Sequence, residues 1–189
     1  SVAIAGQYMY TVDNTYGGLA RIDLNSGARD VLHTGHTGAL AADDDYVWII
    51  TNDTLFKIDH GNGAIIETRA VATAGRNPTA LLSVGSYLYA NLWTPGETYP
   101  TLTRIEKANG TGNIIAATKL TNINGLGSDG TFLYVSDVGS VKKLTSVRAF
   151  TYPPAASTPV MDNGAVSTVN TQALSAANGV AVLGGFSYT

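Results

Sequence analysis

Side chains that could bind a metal ion occur in several loops of this sequence. His33 and His36 lie close together, and imidazole pairs of this kind can bind zinc. In a loop rich in glycine and threonine this spacing fixes no geometry, and no third ligand lies nearby in the sequence. The run Asp43 to Asp45 offers carboxylates that calcium prefers, but adjacent like charges are also typical of a solvated turn. We therefore predict neither a metal site nor a cofactor.

Aromatic side chains in polar loops are better candidates for a binding surface. The segment NLWTPGETYP, residues 91–100, lengthens one loop and carries Trp93 and Tyr99. Exposed aromatic rings commonly contact proteins or sugars, although Trp93 could instead fold back onto its own sheet. Further loops that we expect on the same face contribute a tyrosine, two histidines and an arginine. The predicted binding residues are Tyr16, His33, His36, Arg76, Trp93 and Tyr99.

The sequence offers little for nucleophilic catalysis. It contains no cysteine, 3 histidines and no Gly-x-Ser-x-Gly motif. No phosphate-binding motif is predicted in the required context of a strand followed by a helix, and the glycines mark hairpins instead. We therefore predict that the protein is not an enzyme, although an active site assembled from distant loops would leave no local motif.

Composition argues against two classes of partner. Charged residues make up 13% of the 189 residues, about half of the usual roughly 25%, and the 11 Lys and Arg form no cluster. Because phosphate backbones attract such clusters, we predict no nucleic-acid partner. The longest apolar runs are far shorter than the roughly 20 residues that cross a bilayer, so we predict no membrane insertion. A Gly-, Thr-, Asn- and Ala-rich chain with few charges favours an extracellular, cell-surface or virion location.

The elements that position these side chains follow an internal repeat of about 40 residues. One repeated strand has the pattern apolar, any, basic, apolar, acidic, and an aromatic strand precedes each copy. The copies of the first pattern are LARID at 19–23, LFKID at 55–59, LTRIE at 102–106 and a weaker VKKLT at 141–145. The aromatic strands are YMY at 8–10, YVW at 46–48, YLY at 87–89, FLY at 132–134 and a weak match, VAV, at 180–182.

Two further pieces complete the repeat. A strand of small residues precedes each aromatic strand, and a glycine-containing turn with another strand follows the basic one. Four short strands recurring at this spacing are the signature of a β-propeller blade. We predict an all-β fold, a small β-propeller of four-stranded blades that forms one domain over residues 1–189. The predicted repeats are 1–37, 38–77, 78–123, 124–169 and a partial 170–189.

The second repeat resembles a known class of propeller. The segment YVWIITNDTLFKIDHGNGAIIETRAVATAGRNPTAL is similar to YVTN repeats, and GRNP at 75–78 matches their Gly-x-x-Pro connection between blades. The resemblance implies a propeller fold and, because members are often cell-surface proteins, a surface location. Gluconolactonase-like propellers hold a divalent cation between loop acids, and similar loop positions here carry Asp or Asn. These positions are Asp13, Asn52, Asp53 and Asp137, for which a turn-forming role is the simpler interpretation.

The repeat count leaves the last blade unfinished. Five aromatic strands are present but only four basic ones, and the segment 152–172 is typical of a long connection with one outer strand around 165–169. We predict five blades with an incomplete last blade, and the alternative is four blades plus an extra hairpin. A third possibility is that a neighbouring chain supplies the missing strands, because an unfinished blade exposes an edge.

Three functions are compatible with these features. The first hypothesis is a non-enzymatic structural or adhesive module of an extracellular surface, filament or virion assembly, whose partners are other proteins or copies of itself. The second is a carbohydrate-binding propeller that holds surface glycans with Trp93 and Tyr99. The third is a metal-dependent lactonase-like hydrolase.

Overall fold

The described part of the chain is built from β-strands. The computed structural model describes residues 1–13, 17–35, 38–71, 76–94, 100–116, 123–128, 132–138, 145–151, 167–170, 181–183 and 186–188. All the secondary-structure elements in these ranges are β-strands, so the predicted all-β fold is confirmed. The same ranges contain no helix long and apolar enough to cross a membrane.

The strands form four four-stranded antiparallel sheets and one two-stranded sheet. The first sheet contains β1 (Val2–Ala5), β2 (Tyr8–Asp13), β3 (Gly18–Asp23) and β4 (Arg29–Thr34). The second contains β5 (Ala39–Ala42), β6 (Tyr46–Thr51), β7 (Thr54–Asp59) and β8 (Ile65–Ala70). The third contains β9 (Asn77–Val84), β10 (Tyr87–Trp93), β11 (Thr101–Glu106) and β12 (Gly112–Ala116). The fourth contains β13 (Ile123–Ser128), β14 (Phe132–Val138), β15 (Thr145–Thr151) and β16 (Ser167–Asn170). The last contains β17 (Ala181–Leu183) and β18 (Phe186–Tyr188).

A repeated turn joins the third strand of a sheet to the fourth. In the second sheet, Asp59 Oδ1 accepts hydrogen bonds from the amides of Gly61 and Asn62, at 2.7 and 3.0 Å. Gly63 completes the turn with a φ of 78°, a left-handed conformation that favours glycine. Asp23 accepts two amide hydrogen bonds in the same way in the first sheet. The polar stretch from Asp59 to Gly63 is therefore a hairpin turn.

Neighbouring sheets pack face to face through apolar side chains. Alternate residues of a strand point to opposite faces of its sheet. We call the face that carries Tyr10, Trp48 or Tyr89 the trailing face of the first, second or third sheet, and the opposite face the leading face. The trailing face of each sheet packs against the leading face of the next, as Trp48 of the second sheet does against Leu88 of the third.

The leading faces of the second, third and fourth sheets are buried. Val47 and Ile58 of the second sheet and Leu88 of the third are fully buried. Leu133 and Val135 of the fourth sheet are at most 1% exposed. Each of these faces is covered by the trailing face of the preceding sheet, which is how the core of the molecule continues from sheet to sheet.

The leading face of the first sheet differs from the other three. Register pairs Ile4 with Met9, and Met9 with Ile22, which places these side chains on this face. Val2 and Ile4 are each 62% exposed, and Val31 on the same face is 50% exposed. This apolar face is therefore open where its equivalents are covered.

The small inner strands lie side by side in chain order. β1, β5, β9 and β13 follow one another, and β17 lies next to β13. Ala181 pairs with Tyr188 and Leu183 with Phe186. The strands β1 and β2 pair in the same register, Ala3 with Tyr10 and Ala5 with Tyr8. The segment Ala181–Leu183 is therefore an inner strand, and the prediction that VAV at 180–182 is an aromatic strand is wrong. The number of blades stays a prediction.

The third strand of the fourth sheet also differs from the prediction. Phe150 of β15 pairs with Leu133, as Ile58 pairs with Val47 in the second sheet. The repeat therefore continues through residues 147–151, and the assignment of VKKLT at 141–145 to this strand is wrong. Residues 141–144 lie outside the described ranges. The predicted outer strand around 165–169 is confirmed by β16.

Candidate ligand pocket between the second and third sheets

A cavity of about 600 Å³ lies between the second and third sheets, beside the turn that joins β5 to β6. This volume is within the roughly 300–1,000 Å³ that is usual for small-molecule sites. The rings of Tyr46 and Trp48 form part of its wall. Its charged lining residues are Asp43, Asp44, Asp45, Lys57, Arg69 and Lys107.

Asp43, which lines this pocket, links the two sheets. Its Oδ2 atom accepts hydrogen bonds from the Trp48 indole at 2.7 Å, from Lys107 Nζ at 2.6 Å and from Ser83 Oγ at 3.1 Å. Its Oδ1 atom accepts a hydrogen bond from the Tyr46 amide at 2.8 Å. The side chains of Lys107 and Asp43 are 14% and 25% exposed, so this ion pair is largely shielded from water.

These donors determine the charge of Asp43. Burial by itself raises the pKa of the Asp43 carboxyl, but the hydrogen bonds from Lys107, the Trp48 indole and the Tyr46 amide outweigh it. The pKa is therefore held below its usual range, and Asp43 is ionised at neutral pH.

The sequence interpretation of Asp43 to Asp45 as a solvated turn holds for two of the three residues. Asp44 and Asp45 are exposed, whereas Asp43 forms the polar bridge to the third sheet. Its partner Lys107 lies 64 residues away, so local sequence could not identify the pair. The equivalent turns of the first and third sheets, Gly6-Gln7 and Gly85-Ser86, carry no acid, but the sequence between β13 and β14 contains Asp129, so an acid at this point of the repeat is a weak signal.

The three cations of the pocket have different partners. Lys107 donates to the Gly85 carbonyl at 2.7 Å in addition to Asp43. Arg69 forms an ion pair with Glu67 and donates to the Lys107 carbonyl at 2.7 Å. Lys57 Nζ lies 3.7 Å from the centroid of the Tyr46 ring and contacts it as a cation–π pair.

No protein-family model and no curated protein matches this chain. Solved structures do match it. One is the crystal structure of a nidogen/laminin complex, with a TM-score of 0.72, 17% identity and coverage of 99% of this chain and 70% of the matched chain, which is a β-propeller. Together with the four antiparallel four-stranded sheets, this match decides the fold. The fold is a β-propeller.

A second similar structure is the hydrazine synthase of Kuenenia stuttgartiensis. The TM-score is 0.61 at 14% identity, over 80% of this chain and 50% of the matched chain. The propeller therefore spans 70% of the first matched chain and half of the second. At these identities the similarity concerns the fold, and function has to be argued from the side chains.

The propeller brings together two of the predicted binding residues. Trp93 pairs in register with Asn77, which follows Arg76, so Trp93 and Arg76 lie at the same end of the third sheet. Trp93 is 38% exposed. His33 belongs to the first sheet, and its Nε2 atom contacts the Gly63 carbonyl in a turn of the second sheet.

The remaining predicted positions contribute no described site. Tyr16, His36 and Tyr99 lie outside the described residues, as do the side chains of Asp13 and Asp137. Among the residues that are described, no group of three or more His, Asp or Glu side chains could hold a metal ion.

Proposed function

We propose that this propeller is a non-enzymatic structural module that assembles with further copies of itself at an extracellular surface, filament or virion. The observation that carries the proposal is the open leading face of the first sheet. Val2 and Ile4 on this face are each 62% exposed, whereas the equivalent faces of the next three sheets are buried. Burying a Val or Ile side chain gains about 1.5–3 kcal/mol, which favours association through this face.

The surface that fits this face is a trailing face. Three such pairings already hold the sheets of the chain together. The hairpin β17–β18 repeats the register of β1–β2, so it carries Ala181 and Tyr188 at the positions that Ala3 and Tyr10 have on the trailing face of the first sheet. We therefore infer that the last hairpin of one copy packs on the first sheet of the next. The extracellular setting is supported by the low content of charged residues, 13%.

The similar structures support a role in protein association. One of them is itself a complex between nidogen and laminin. That association belongs to those proteins, and it supports the proposal only by indicating that the same fold can serve in a protein complex.

Replacing an exposed residue of the open face tests self-association. Ile4→Asp places a charge in the proposed contact, and we expect the dissociation constant of the assembly to rise by about tenfold to a hundredfold. Sedimentation velocity over a concentration series measures this change. The matched control is Ile66→Asp, because Ile66 is likewise exposed, at 50% against 62% for Ile4, but lies on β8 of the second sheet. A wild-type chain that stays monomeric throughout the series contradicts the proposal, as does an equal effect of both variants.

Carbohydrate binding is the second candidate, and the exposed ring of Trp93 beside Arg76 favours it. Aromatic rings at protein surfaces commonly contact sugars. If this hypothesis holds, a glycan array should show binding that Trp93→Ala weakens by about fivefold or more and Trp93→Phe largely keeps. An array without binding would remove the hypothesis.

The lactonase-like hydrolase stays a prediction that no described group of metal ligands supports.

A further inference from the structure

The junction between the first and second sheets shows how a cation at the trailing face is neutralised. Arg21 pairs in register with Tyr10. Its guanidinium donates to the carbonyls of His60 and Gly61, and to Asp30 at 3.0 Å. The Tyr10 hydroxyl also donates to the His60 carbonyl. Both terminal nitrogens of this guanidinium are thus engaged, one by the neighbouring turn and the other by an acid of its own sheet.

Lys57 occupies the same position at the next junction, but its surroundings differ. It pairs in register with Trp48, as Arg21 pairs with Tyr10. In the third sheet, Lys107 has the position that His60 has in the second. The Lys107 carbonyl accepts a hydrogen bond from Arg69 and not from Lys57. Within the part of the chain that the structure describes, the Lys57 ammonium contacts aromatic rings and has neither a hydrogen bond nor an ion pair.

The other charges beside Lys57 are already compensated or lie at the rim. Lys107 is paired with Asp43, and Arg69 with Glu67. Lys57 is partly exposed and its ammonium has no acceptor among the described residues, so an anionic group that enters the pocket gains a charge-assisted hydrogen bond. Asp44 and Asp45, which are exposed and line the same cavity, repel a multiply charged anion and can accept hydrogen bonds from hydroxyl groups.

We propose that the pocket between the second and third sheets binds a sugar acid with a single carboxylate, such as a hexuronate. Lys57 donates to the carboxylate, and Asp44 and Asp45 accept hydrogen bonds from the sugar hydroxyls. The rings of Tyr46 and Trp48 provide the apolar wall. The proposal is independent of self-association, because the open face belongs to the first sheet and the pocket to the second and third.

The two tryptophans of the chain provide an internal readout. Trp48 lines the pocket and Trp93 does not. In a titration of the ¹⁵N-labelled protein with glucuronate, we expect the indole N–H signal of Trp48 to shift and that of Trp93 to stay. The Trp93→Phe variant assigns the two signals. Glucose, which lacks the carboxylate, and acetate, which lacks the hydroxyls, are the comparison ligands.

Lys57→Gln should weaken glucuronate binding by about tenfold or more, because it removes the charged donor. Arg29→Gln removes the same charge from β4 of the first sheet and should leave binding unchanged. Asp45→Asn keeps an acceptor oxygen for a sugar hydroxyl but removes an exposed repelling charge, so it should strengthen binding by about twofold to fivefold. Circular dichroism establishes that each variant is folded.

Several results would overturn the proposal. These are a Trp48 signal that glucuronate leaves unmoved at millimolar concentration, equal affinity of wild type and Lys57→Gln, and equal binding of glucose and glucuronate. Acetate that binds as tightly as glucuronate would overturn the assignment to a sugar. An affinity that rises in Asp45→Asn supports the pocket even if Lys57→Gln proves too unstable to measure.

Discussion

Asp43→Ala is expected to lower the free energy of unfolding by about 3 kcal/mol. The substitution removes the acceptor of three side-chain donors, namely Lys107 Nζ, the Trp48 indole and Ser83 Oγ. It also removes the acceptor of the Tyr46 and Asp45 amides. Removing one partner of a shielded ion pair is costly because the other charge stays behind without compensation. Urea unfolding followed by circular dichroism measures the change. Asp45→Ala is the matched control, since Asp45 is exposed, and it should change stability by less than about 0.5 kcal/mol.

The same carboxylate gives stability a defined dependence on pH. The pKa of Asp43 is lowered in the folded protein, so its contribution is complete above the unfolded value of about 3.9 and is lost as pH falls through the folded value. The wild type should therefore lose stability in acid more steeply than Asp43→Asn. Asp23 and Asp59 also have lowered pKa values and remain in both proteins, so the difference between the two curves isolates Asp43. Parallel curves would contradict this role.

Leu88→Ala is expected to destabilise the protein by about 3 kcal/mol, because it leaves a cavity in a leading face that the second sheet covers. The internal repeat supplies an unusually close control. Met9 pairs with Ile22 as Leu88 pairs with Ile105, so Met9 has the equivalent position on the open face of the first sheet. Because none of the described sheets covers this face and Met9 is only partly buried, Met9→Ala should cost about 1 kcal/mol or less.

Chemical unfolding at low protein concentration compares the two variants. If copies of the chain cover the open face, the cost of Met9→Ala should increase with protein concentration, whereas that of Leu88→Ala should not. Equal costs at low concentration would show that the first sheet is covered within the chain.

The strands and turns could be predicted from the sequence because they depend on residues close together in the chain. The pattern LFKID places Leu55 and Ile58 on opposite faces of a strand, and both are buried in β7, which lies between two packed sheets. The turn that follows is specified by Asp59, Asn62 and Gly63, which bond within their own hairpin. These local features recur in the first three sheets, and their recurrence predicts the propeller.

The pocket could not be predicted because it depends on contacts between repeats. Whether Lys57 finds a carbonyl acceptor is decided by Arg69 and by the turn of the following sheet, which carries Lys107. The strand assignments that were wrong have a similar cause. The short apolar segments at 141–145 and 180–182 match a pattern of the repeat, and only the pairing of Phe150 with Leu133 and of Ala181 with Tyr188 identifies the strands.

The order of the strands within each sheet has a consequence for how the chain unfolds. Every strand of a four-stranded sheet pairs only with its neighbours in sequence, so each sheet closes short loops and can form independently of distant segments. Stability is then divided among the junctions between sheets, as in other repeat proteins. Among the described sheets, opening the first breaks one junction, whereas opening the second breaks two. The backbone amides of the first sheet should therefore exchange with solvent sooner than those of the second, and an occupied open face would slow them.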